Sequence, residues 1–434
     1  MIRSNEDLAQ RIARWASDFQ PSQRQVERIR ASIRDFFGCV VAGVTQEELG
    51  PALRICASGS VSVWGLAETF DAPGAALVTG TAGSLWQLHD IYLPAGLHPS
   101  SPVISAAWAS WNNARRPSRS FVQAVAAGYE ACNRIGLACW PAQAIGGSSS
   151  TATAGAIGAS VAAGLISGLN ADGIARAISN AALLLPAAPT ACMRAHGALV
   201  PLHGGLAARA ATEAALLAQD TGSGRRVLEG DDVTPGLITF LRGDVGAITP
   251  ESWNGDTLNR IGWKFFPACF GCHTALEAVL RILPTNVHGI ARIVVRVPER
   301  LFWLIEPGIG KESLYDRLMS LRWVIARALE RRAFGWTDAI ANSASTHLLA
   351  EKVDVVHEAT LDDLPDNVMS ADIELHMNEG VSRIQYRRPL YGEPYESGPR
   401  GWTSDLDDDA LTQKFTILTK GSKSFADELT VLMR

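Results

Sequence analysis

The sequence has few of the features that mark disulfide-rich or nucleic-acid-binding proteins. Its seven cysteines are scattered without the close, regular spacing of a disulfide framework, so we expect reduced thiols. The net charge is −5, and the chain has no long block of like charges. There is thus no electrostatic basis for binding nucleic acid or an anionic membrane surface. The expected partners are therefore a small-molecule substrate or another protein.

Long apolar runs and an export signal are also lacking. The longest uncharged stretch, 135–171, is interrupted by Pro141, Gly146 and Gly147, and its alanine and glycine content indicates closely packed helices in a core. Residues 1–20 contain no basic segment followed by an apolar one. We therefore expect a cytoplasmic protein with no membrane partner.

Helical periodicity dominates the first part of the chain. The 434 residues are enough for two domains. Leu8, Ile12, Trp15 and Phe19 share one helical face, and segments between 153 and 219 are rich in alanine, leucine and isoleucine, with turns at glycine or proline. The pattern predicts a helical domain over residues 1–259.

The pattern changes near residue 260. Segments 289–297 and 371–386 alternate apolar and polar residues and contain many β-branched ones, which predicts strands, the second interrupted by a turn at 378–380. Helical patterns at 273–283 and 321–332 lie near them. We therefore predict an α+β domain over residues 260–394, followed by helix again from about residue 405.

One segment, 263–273, reads WKFFPACFGCH and supports two different chemistries. Aromatic neighbours would remove water from Lys264, which lowers the pKa of its amine and suits it to act as acid, base or anion anchor. Alternatively, Cys269, Cys272 and His273 form the C-x-x-C-H spacing of covalent haem attachment. Haem attachment takes place in exported proteins, and a zinc or iron–sulfur site needs further ligands. We expect simple burial of both cysteines and no metal.

Seven short motifs extend over nearly the whole chain: RDFFGCVVAG (34–43), GTAGSLWQLHD (80–90), LHPS (97–100), TAGAIGAS (153–160), PLHGGLAAR (201–209), KFFPACFGCH (264–273) and YGEP (391–394). In order and spacing they resemble the MmgE/PrpD family, which includes 2-methylcitrate dehydratase, cis-aconitate decarboxylase and iminodisuccinate epimerase. The resemblance implies a mostly α fold, with a large all-helical domain built from both chain ends (1–259 and 395–434) and a smaller inserted α+β domain (260–394). It also implies an active site in the cleft between the domains, a homodimer, and neither a metal nor an organic cofactor.

Four residues are candidates for catalysis. Removal of a proton beside a carboxylate or carbonyl needs a base, a group that stabilises the developing negative charge, and an acid for the leaving group. His98 has a suitable unperturbed pKa and matches the family's H-P histidine. Lys264 matches the family's lysine and would stabilise the oxyanion or protonate the leaving group. Asp90 and Tyr92 would orient His98 or the substrate, although Asp90 is equally well interpreted as a helix or turn cap.

Five further residues are candidates for substrate binding: His89, Ser149, Arg194, His203 and His273. Arg194 lies in a nearly uncharged neighbourhood and would bind an anion. The loop 146–151 would offer backbone N–H groups at a helix N-terminus to the developing anion. The alternatives are a core histidine for His203, a helix cap for His273, and an ordinary N-cap for the loop 146–151. By the resemblance, Ser149 and Val200 stand where many family members have an active-site histidine and a lysine.

The loss of that lysine removes a possible carboxylate anchor, and a charge left unpaired in a buried site is costly. We therefore predict that the substrate is not a tricarboxylate.

The resemblance and the candidate residues together predict a metal- and cofactor-independent lyase of the MmgE/PrpD type with a biosynthetic role. It would eliminate water or a small acid from a carboxylate- or carbonyl-activated small molecule by general acid–base catalysis. Epimerisation or decarboxylation on the same scaffold, and a non-catalytic dimeric binding protein, are the alternatives.

Overall fold

A computed structural model describes residues 6–114, 117, 119–187, 189–191, 199–220, 222, 224–305, 313–340, 343–365, 368–389 and 401–433. The contacts divide the chain into two units. The helical unit contains Met1–Leu85, His89–Trp263 and Asp405–Arg434, and the α+β unit contains Trp86–Leu88 and Lys264–Ser404. The sequence patterns placed these limits earlier, at 260 instead of 264 and at 395 instead of 405. The predicted mostly α fold class is confirmed.

The first part of the helical unit has helices α1 (Leu8–Asp18), α2 (Gln23–Gly43), α3 (Gly50–Arg54), α4 (Ala72–Ser84), α5 (Ser100–Asn113), α6 (Phe121–Cys139), α7 (Ala142–Ile145), α8 (Ser150–Ile166), α9 (Ala171–Leu184), α10 (Leu202–Leu217) and α11 (Leu237–Phe240). Strands β1 (Ser58–Ser62) and β2 (Thr69–Phe70) form an antiparallel pair between α3 and α4. The expectation of an all-helical domain is therefore wrong in this detail. A strand rich in serine and glycine has little of the β-branched signal that predicts strands.

Small residues let the central helices pack closely. Every residue of α8 is buried, and a Cβ placed on Gly158 would lie only 2.4 Å from the carbonyl oxygen of Gly128 in α6. Because glycine has no Cβ, the two backbones can approach to this distance. The uncharged stretch 135–171 thus contains closely packed, buried helix, as its composition predicted. Among the described residues, no helix combines the length and apolar character needed to cross a bilayer.

The α+β unit begins with β3 (Trp263–Lys264) and continues with α12 (His273–Val279), β4 (Ile290–Val297), α13 (Glu299–Ile305), α14 (Leu314–Met319), α15 (Leu321–Arg331), α16 (Trp336–Ile340), α17 (Ala344–Ala350), β5 (Val353–His357), β6 (Val368–Met377), β7 (Gly380–Pro389) and β8 (Trp402–Thr403). Four strands form a sheet in the order β5-β4-β6-β7, parallel between β4 and β5 and antiparallel elsewhere.

The alternation of β6 fixes which face of that sheet is buried. Met369, Ala371, Ile373 and Leu375 are buried and α12 packs against β6, whereas Asp372 and Glu374 between them are partly exposed. The strands predicted at 289–297 and 371–386, with their turn at 378–379, are confirmed. The helices predicted at 273–283 and 321–332 are present as α12 and α15.

The chain ends in the helical unit with α18 (Asp408–Leu418) and α19 (Lys423–Leu432). α18 packs against α2, where the buried Lys414 Nζ lies 2.5 Å from Asp35 Oδ1. At the same contact, a Cβ on Gly38 would lie 3.3 Å from both Phe415 and Leu418. A buried ion pair and close apolar packing therefore attach the C-terminal segment to α2.

Candidate active site

A tight turn between α4 and α5 carries His98. The main chains of Tyr92 and Leu97 exchange two hydrogen bonds, of 2.8 and 3.3 Å, around a short 3₁₀ turn at 93–95. Gly96 closes the turn with φ of +55°, and a Cβ at this position would lie 2.6 Å from the ring of Trp140. Both the left-handed backbone and the packing therefore require glycine here. The side chain of Tyr92 is itself buried.

The ring of His98 is oriented by the main chain. Its Nδ1 lies 2.7 Å from the carbonyl oxygen of Asp90, and its backbone N–H donates to Thr151 Oγ1 at 3.0 Å. A carbonyl oxygen only accepts hydrogen bonds, so Nδ1 must carry the proton and the neutral ring has its lone pair on Nε2. The buried ring of His89 lies against that of His98, with centroids 4.5 Å apart.

The carboxylate of Asp90 has other partners. It is fully buried, its Oδ2 accepts from Tyr129 Oη at 2.9 Å, and its Oδ1 accepts from the N–H of Ser100 at 3.2 Å. Burial raises the pKa of Asp90 to about 6, and nearby Asp35 adds to the rise, whereas the hydrogen bonds from Ser100 and Tyr129 oppose it. Asp90 thus caps the start of α5 with its side chain and orients His98 with its main chain.

Ser149 and His203 form a second polar pair. Ser149 precedes α8 without capping it through its side chain, and its Oγ lies 3.1 Å from Nδ1 of His203 in the first turn of α10. Burial lowers the pKa of His203 to about 4, so its ring is neutral at pH 7. Val200, which precedes His203 by three residues in the sequence, is also buried. This pair brings no positive charge at neutral pH.

The first turn of α8 connects the two pairs. Thr151 holds the backbone of His98, and Ser149, two residues earlier, contacts His203. The helical unit therefore brings His89, Asp90, His98, Ser149 and His203 to the same end of α8. Thr151 and Tyr129 were not identified from the sequence, because single hydroxyl-bearing residues in apolar helices have no distinctive pattern.

Lys264 and His273 belong to the α+β unit. Lys264 is fully buried on β3, which pairs with β8. His273 begins α12, with its ring centroid 5.7 Å from that of Phe266 and 5.5 Å from that of Phe270. Burial, reinforced by the charge of Lys264, lowers the pKa of His273 well below its usual range. A neutral, ring-packed His273 fits a core position better than the substrate-binding role that was expected.

The two cysteines of the C-x-x-C-H sequence are buried as free thiols. Burial raises the pKa of Cys269 and of Cys272. Nε2 of His273 lies 3.3 Å from the carbonyl oxygen of Ala268, and phenylalanines flank its ring. This packing supports burial of the thiols over haem attachment. Within the described ranges, no three His, Cys, Asp or Glu side chains are grouped in a way that could hold a metal ion.

A buried carboxylate organises the backbone beside Lys264. Glu277 of α12 accepts from Arg388 Nη1 and from the N–H of Gly401, both at 2.8 Å, and from Tyr386 Oη at 3.0 Å. The carbonyl oxygen of Gly401 accepts from the N–H of Phe265 at 2.7 Å. Glu277 was missed from the sequence, although a lone carboxylate in the apolar run 274–280 is a usable signal. Arg194 lies outside the described residues.

The sequence comparisons agree with these motifs. The family model described as the MmgE/PrpD N-terminal domain matches residues 7–242, and the one described as the MmgE/PrpD C-terminal domain matches residues 266–430. No curated protein matched the chain. The chain therefore belongs to the MmgE/PrpD family, and this membership indicates a dehydratase-like or related activity.

Proposed function

We propose that the protein is a lyase that eliminates water or a small acid from a carboxylate- or carbonyl-activated small molecule, with His98 as the base. The 2.7 Å contact between His98 Nδ1 and the Asp90 carbonyl carries the proposal. It fixes the tautomer in which Nε2 is the basic nitrogen. A histidine held in this way is ready to accept a proton without prior rearrangement, as general base catalysis requires.

The start of α8 supports a role in stabilising negative charge. Removal of a proton beside a carboxylate or carbonyl creates an enolate-like anion, and the N-terminus of a helix has partial positive charge. α8 is 17 residues long; Thr151 in its first turn holds the backbone of His98, and Ser149, just before the helix, contacts His203. The N–H groups of Ser150 and Thr151 are therefore proposed to stabilise the anion formed by His98.

The neutral character of Ser149, His203 and Val200 supports a substrate with fewer negative charges than a tricarboxylate. The pKa of His203 is about 4, so this histidine offers no cation at pH 7. A carboxylate bound beside neutral groups would have to rely on hydrogen bonds alone, which stabilise a buried charge less than an ion pair does. We propose a substrate with one or two carboxylates or a carbonyl.

Lys264 is proposed to protonate the leaving group or to stabilise the oxyanion. Its family motif, its complete burial and its aromatic neighbours in the sequence support this role. Arg194 remains a proposed anion-binding residue, and Tyr92 and His89 are proposed to shape the surroundings of His98. The family resemblance supports a homodimer. A cytoplasmic location and a biosynthetic role are the remaining parts of the proposal.

Proton exchange tests the proposal directly. Hydroxy-, acyloxy- and unsaturated acids are incubated with the protein in deuterated water, and exchange and products are followed by NMR. Loss of a fragment supports elimination, and exchange without net conversion supports epimerisation instead. The variant His98→Gln should lose exchange. The matched control His376→Gln, which changes a histidine paired with Glu374 on the sheet of the α+β unit, should retain it.

The alternative, a non-catalytic binding protein, predicts a different result in this experiment. A dimeric binding protein would bind one of these acids without exchange in either the wild type or the variants. Equal exchange by the wild type and His98→Gln would also rule out His98 as the base.

A further inference from the structure

We propose that Tyr129 is a positioning residue for His98 that acts through Asp90, so that the Tyr129 hydroxyl determines which imidazole nitrogen is basic. This inference deepens the proposed function and rests on it for the meaning of that nitrogen. The residues involved are distant in sequence. Tyr129 lies in the middle of α6, whereas Asp90 and His98 flank the turn before α5.

The first step is the contact between Tyr129 and Asp90. Tyr129 is fully buried, and its Oη lies 2.9 Å from Asp90 Oδ2. Burial and the charge of Asp90 raise the pKa of Tyr129 well above its usual range. The phenol therefore keeps its proton and remains a hydrogen-bond donor to the carboxylate.

The second step is the restraint that this donor places on Asp90. The N–H of Ser100 holds the other carboxylate oxygen at 3.2 Å, so the side chain is held from α6 on one side and from α5 on the other. A carboxylate held at both oxygens cannot rotate without losing a charge-assisted hydrogen bond in a buried site. The orientation of the Asp90 residue is thus fixed by two helices.

The third step leads from the side chain to the main chain of Asp90. The carbonyl oxygen of the same residue accepts the Nδ1–H of His98 at 2.7 Å. The two ends of the segment 90–100 are therefore coupled, since Asp90 binds His98 with its main chain and Ser100 with its side chain. Without the Tyr129 hydroxyl, the carboxylate can reorient, and the carbonyl then ceases to select one imidazole tautomer.

Charge in the surroundings of Asp90 favours the same conclusion. Among the described residues, the titratable groups that act on the carboxylate include Tyr129 and Cys132 of α6 and Asp35 of α2. His98 contacts the main chain of Asp90, and His89 packs against the His98 ring. Asp35 is engaged by Lys414. The hydrogen bond from Tyr129 lowers the pKa of Asp90 against the effect of burial. The hydroxyl therefore also keeps Asp90 ionised near neutral pH, and an ionised carboxylate is the stronger acceptor.

The test is a nitrogen NMR spectrum of the full chain labelled with ¹⁵N-histidine, which requires no substrate. The protein has nine histidines, and the variant His98→Asn assigns the His98 signals by their disappearance. In the wild type, His98 should give one protonated and one unprotonated ring nitrogen, with a slowly exchanging Nδ1–H. In Tyr129→Phe we expect loss of that Nδ1–H signal and a shift of both nitrogens towards averaged values.

Two further variants make the result decisive. Tyr386→Phe removes a phenol hydroxyl from another buried carboxylate, Glu277, and should leave the His98 signals unchanged. Asp90→Asn keeps the side-chain size and should reproduce the loss seen in Tyr129→Phe, so it carries the test if Tyr129→Phe does not fold. Unchanged His98 nitrogen shifts in either variant at Tyr129 or Asp90 overturn the inference. The proposed function is tested separately, by measuring proton exchange in His98→Gln.

Discussion

The imidazole of His98 is bound by the main-chain oxygen of Asp90, at 2.7 Å, while the carboxylate of Asp90 binds Tyr129 and Ser100. Asp90, which was expected to orient His98 or the substrate, contacts the His98 ring through its backbone and not through its carboxylate. Because the Asp90 carbonyl cannot donate, this arrangement makes His98 an acceptor at Nε2.

Substitution of His98 by asparagine should separate catalysis from folding. The asparagine amide nitrogen can replace Nδ1 as the donor to Asp90, but no atom replaces Nε2. We expect His98→Asn to unfold near the wild-type temperature and to lose proton exchange by about 100- to 10,000-fold, the usual range for a general base. Calorimetry and exchange by NMR measure the two effects. His98→Ala, which loses both nitrogens, should unfold at a lower temperature, and a wild-type exchange rate in His98→Asn would contradict the assignment.

Substitution of Lys264 by methionine should distinguish its two proposed roles. If Lys264 protonates the leaving group, Lys264→Met should keep substrate proton exchange while elimination falls by about 100-fold or more. If Lys264 stabilises the oxyanion, both rates should fall together. Both are read from one NMR time course. Lys423→Met, at an exposed lysine, is the control, and equal elimination rates in the two variants would exclude Lys264 from the reaction.

His203 should make the protein less stable in mild acid. Its pKa falls from 6.5 to about 4 on folding, so the unfolded chain takes up a proton in this interval and the folded chain does not. The free energy of unfolding is therefore not reduced by His203 above pH 6.5, and it decreases as the pH falls towards 4. The loss is at most about 3 kcal/mol, and less because the side chain is partly exposed.

The variant His203→Asn checks this effect, since its amide can keep the contact with Ser149. Urea unfolding at several pH values should show a smaller loss of stability between pH 6.5 and 4 than in the wild type. His288→Asn, at an exposed histidine, should show the wild-type loss. An unchanged pH dependence in His203→Asn would mean that this ring is not neutral in the folded protein.

Asp90 and Glu330 should respond in opposite directions to replacement by an amide. Burial raises the pKa of Asp90 from 3.8 to about 6, so its charge opposes folding, and stability falls as the pH rises through this range by at most about 3 kcal/mol. The hydroxyls of Ser343, Ser345 and Thr346 and the guanidinium of Arg327 outweigh desolvation and lower the pKa of Glu330 from 4.5 to about 2. Its stabilisation is present above pH 4.5 and is lost as the pH falls towards 2.

Denaturation curves should therefore separate the two variants. Asp90→Asn should gain stability relative to the wild type as the pH rises from 4 to 7. Glu330→Gln should instead lose stability at pH 7, by well under about 3 kcal/mol because solvent screens this partly exposed site. A charge that opposes folding is typical of a residue kept for function. If both variants lost stability relative to the wild type as the pH rises, the buried charge of Asp90 would be stabilising. This interpretation would then be wrong.

The crossing of α6 and α8 should not tolerate a methyl group. A Cβ at Gly158 would lie 2.4 Å from the Gly128 carbonyl oxygen, so Gly158→Ala must separate the helices and should cost about 1–3 kcal/mol. Gly164 lies in the same helix, with its nearest neighbour at 3.3 Å from the added Cβ, a side-chain atom of Ile174. Gly164→Ala should therefore be close to neutral. Equal midpoints of thermal unfolding for the two variants would contradict the close packing.

Much of the fold is predictable from local patterns in the sequence. The helical spacing of apolar residues, the alternation at 289–297 and 371–386, and the small residues of 153–160 reflect interactions between near neighbours. The motifs around His98 and Lys264 likewise identify the family without coordinates. The sequence patterns that predict strands were weaker for two elements. One is β5, a strand of five residues beside β4, and the other is the β1–β2 pair.

The family, the fold class and the candidate site residues thus follow from local sequence. Their partners follow only from folding: Tyr129 binds Asp90 across 39 positions, and Ser149 binds His203 across 54. Folding also decided the charge states, placing the pKa of Asp90 at about 6 and that of His203 at about 4. The physical reason is that hydrogen-bond partners and desolvation depend on residues brought together by folding, whereas periodicity depends on neighbours along the chain.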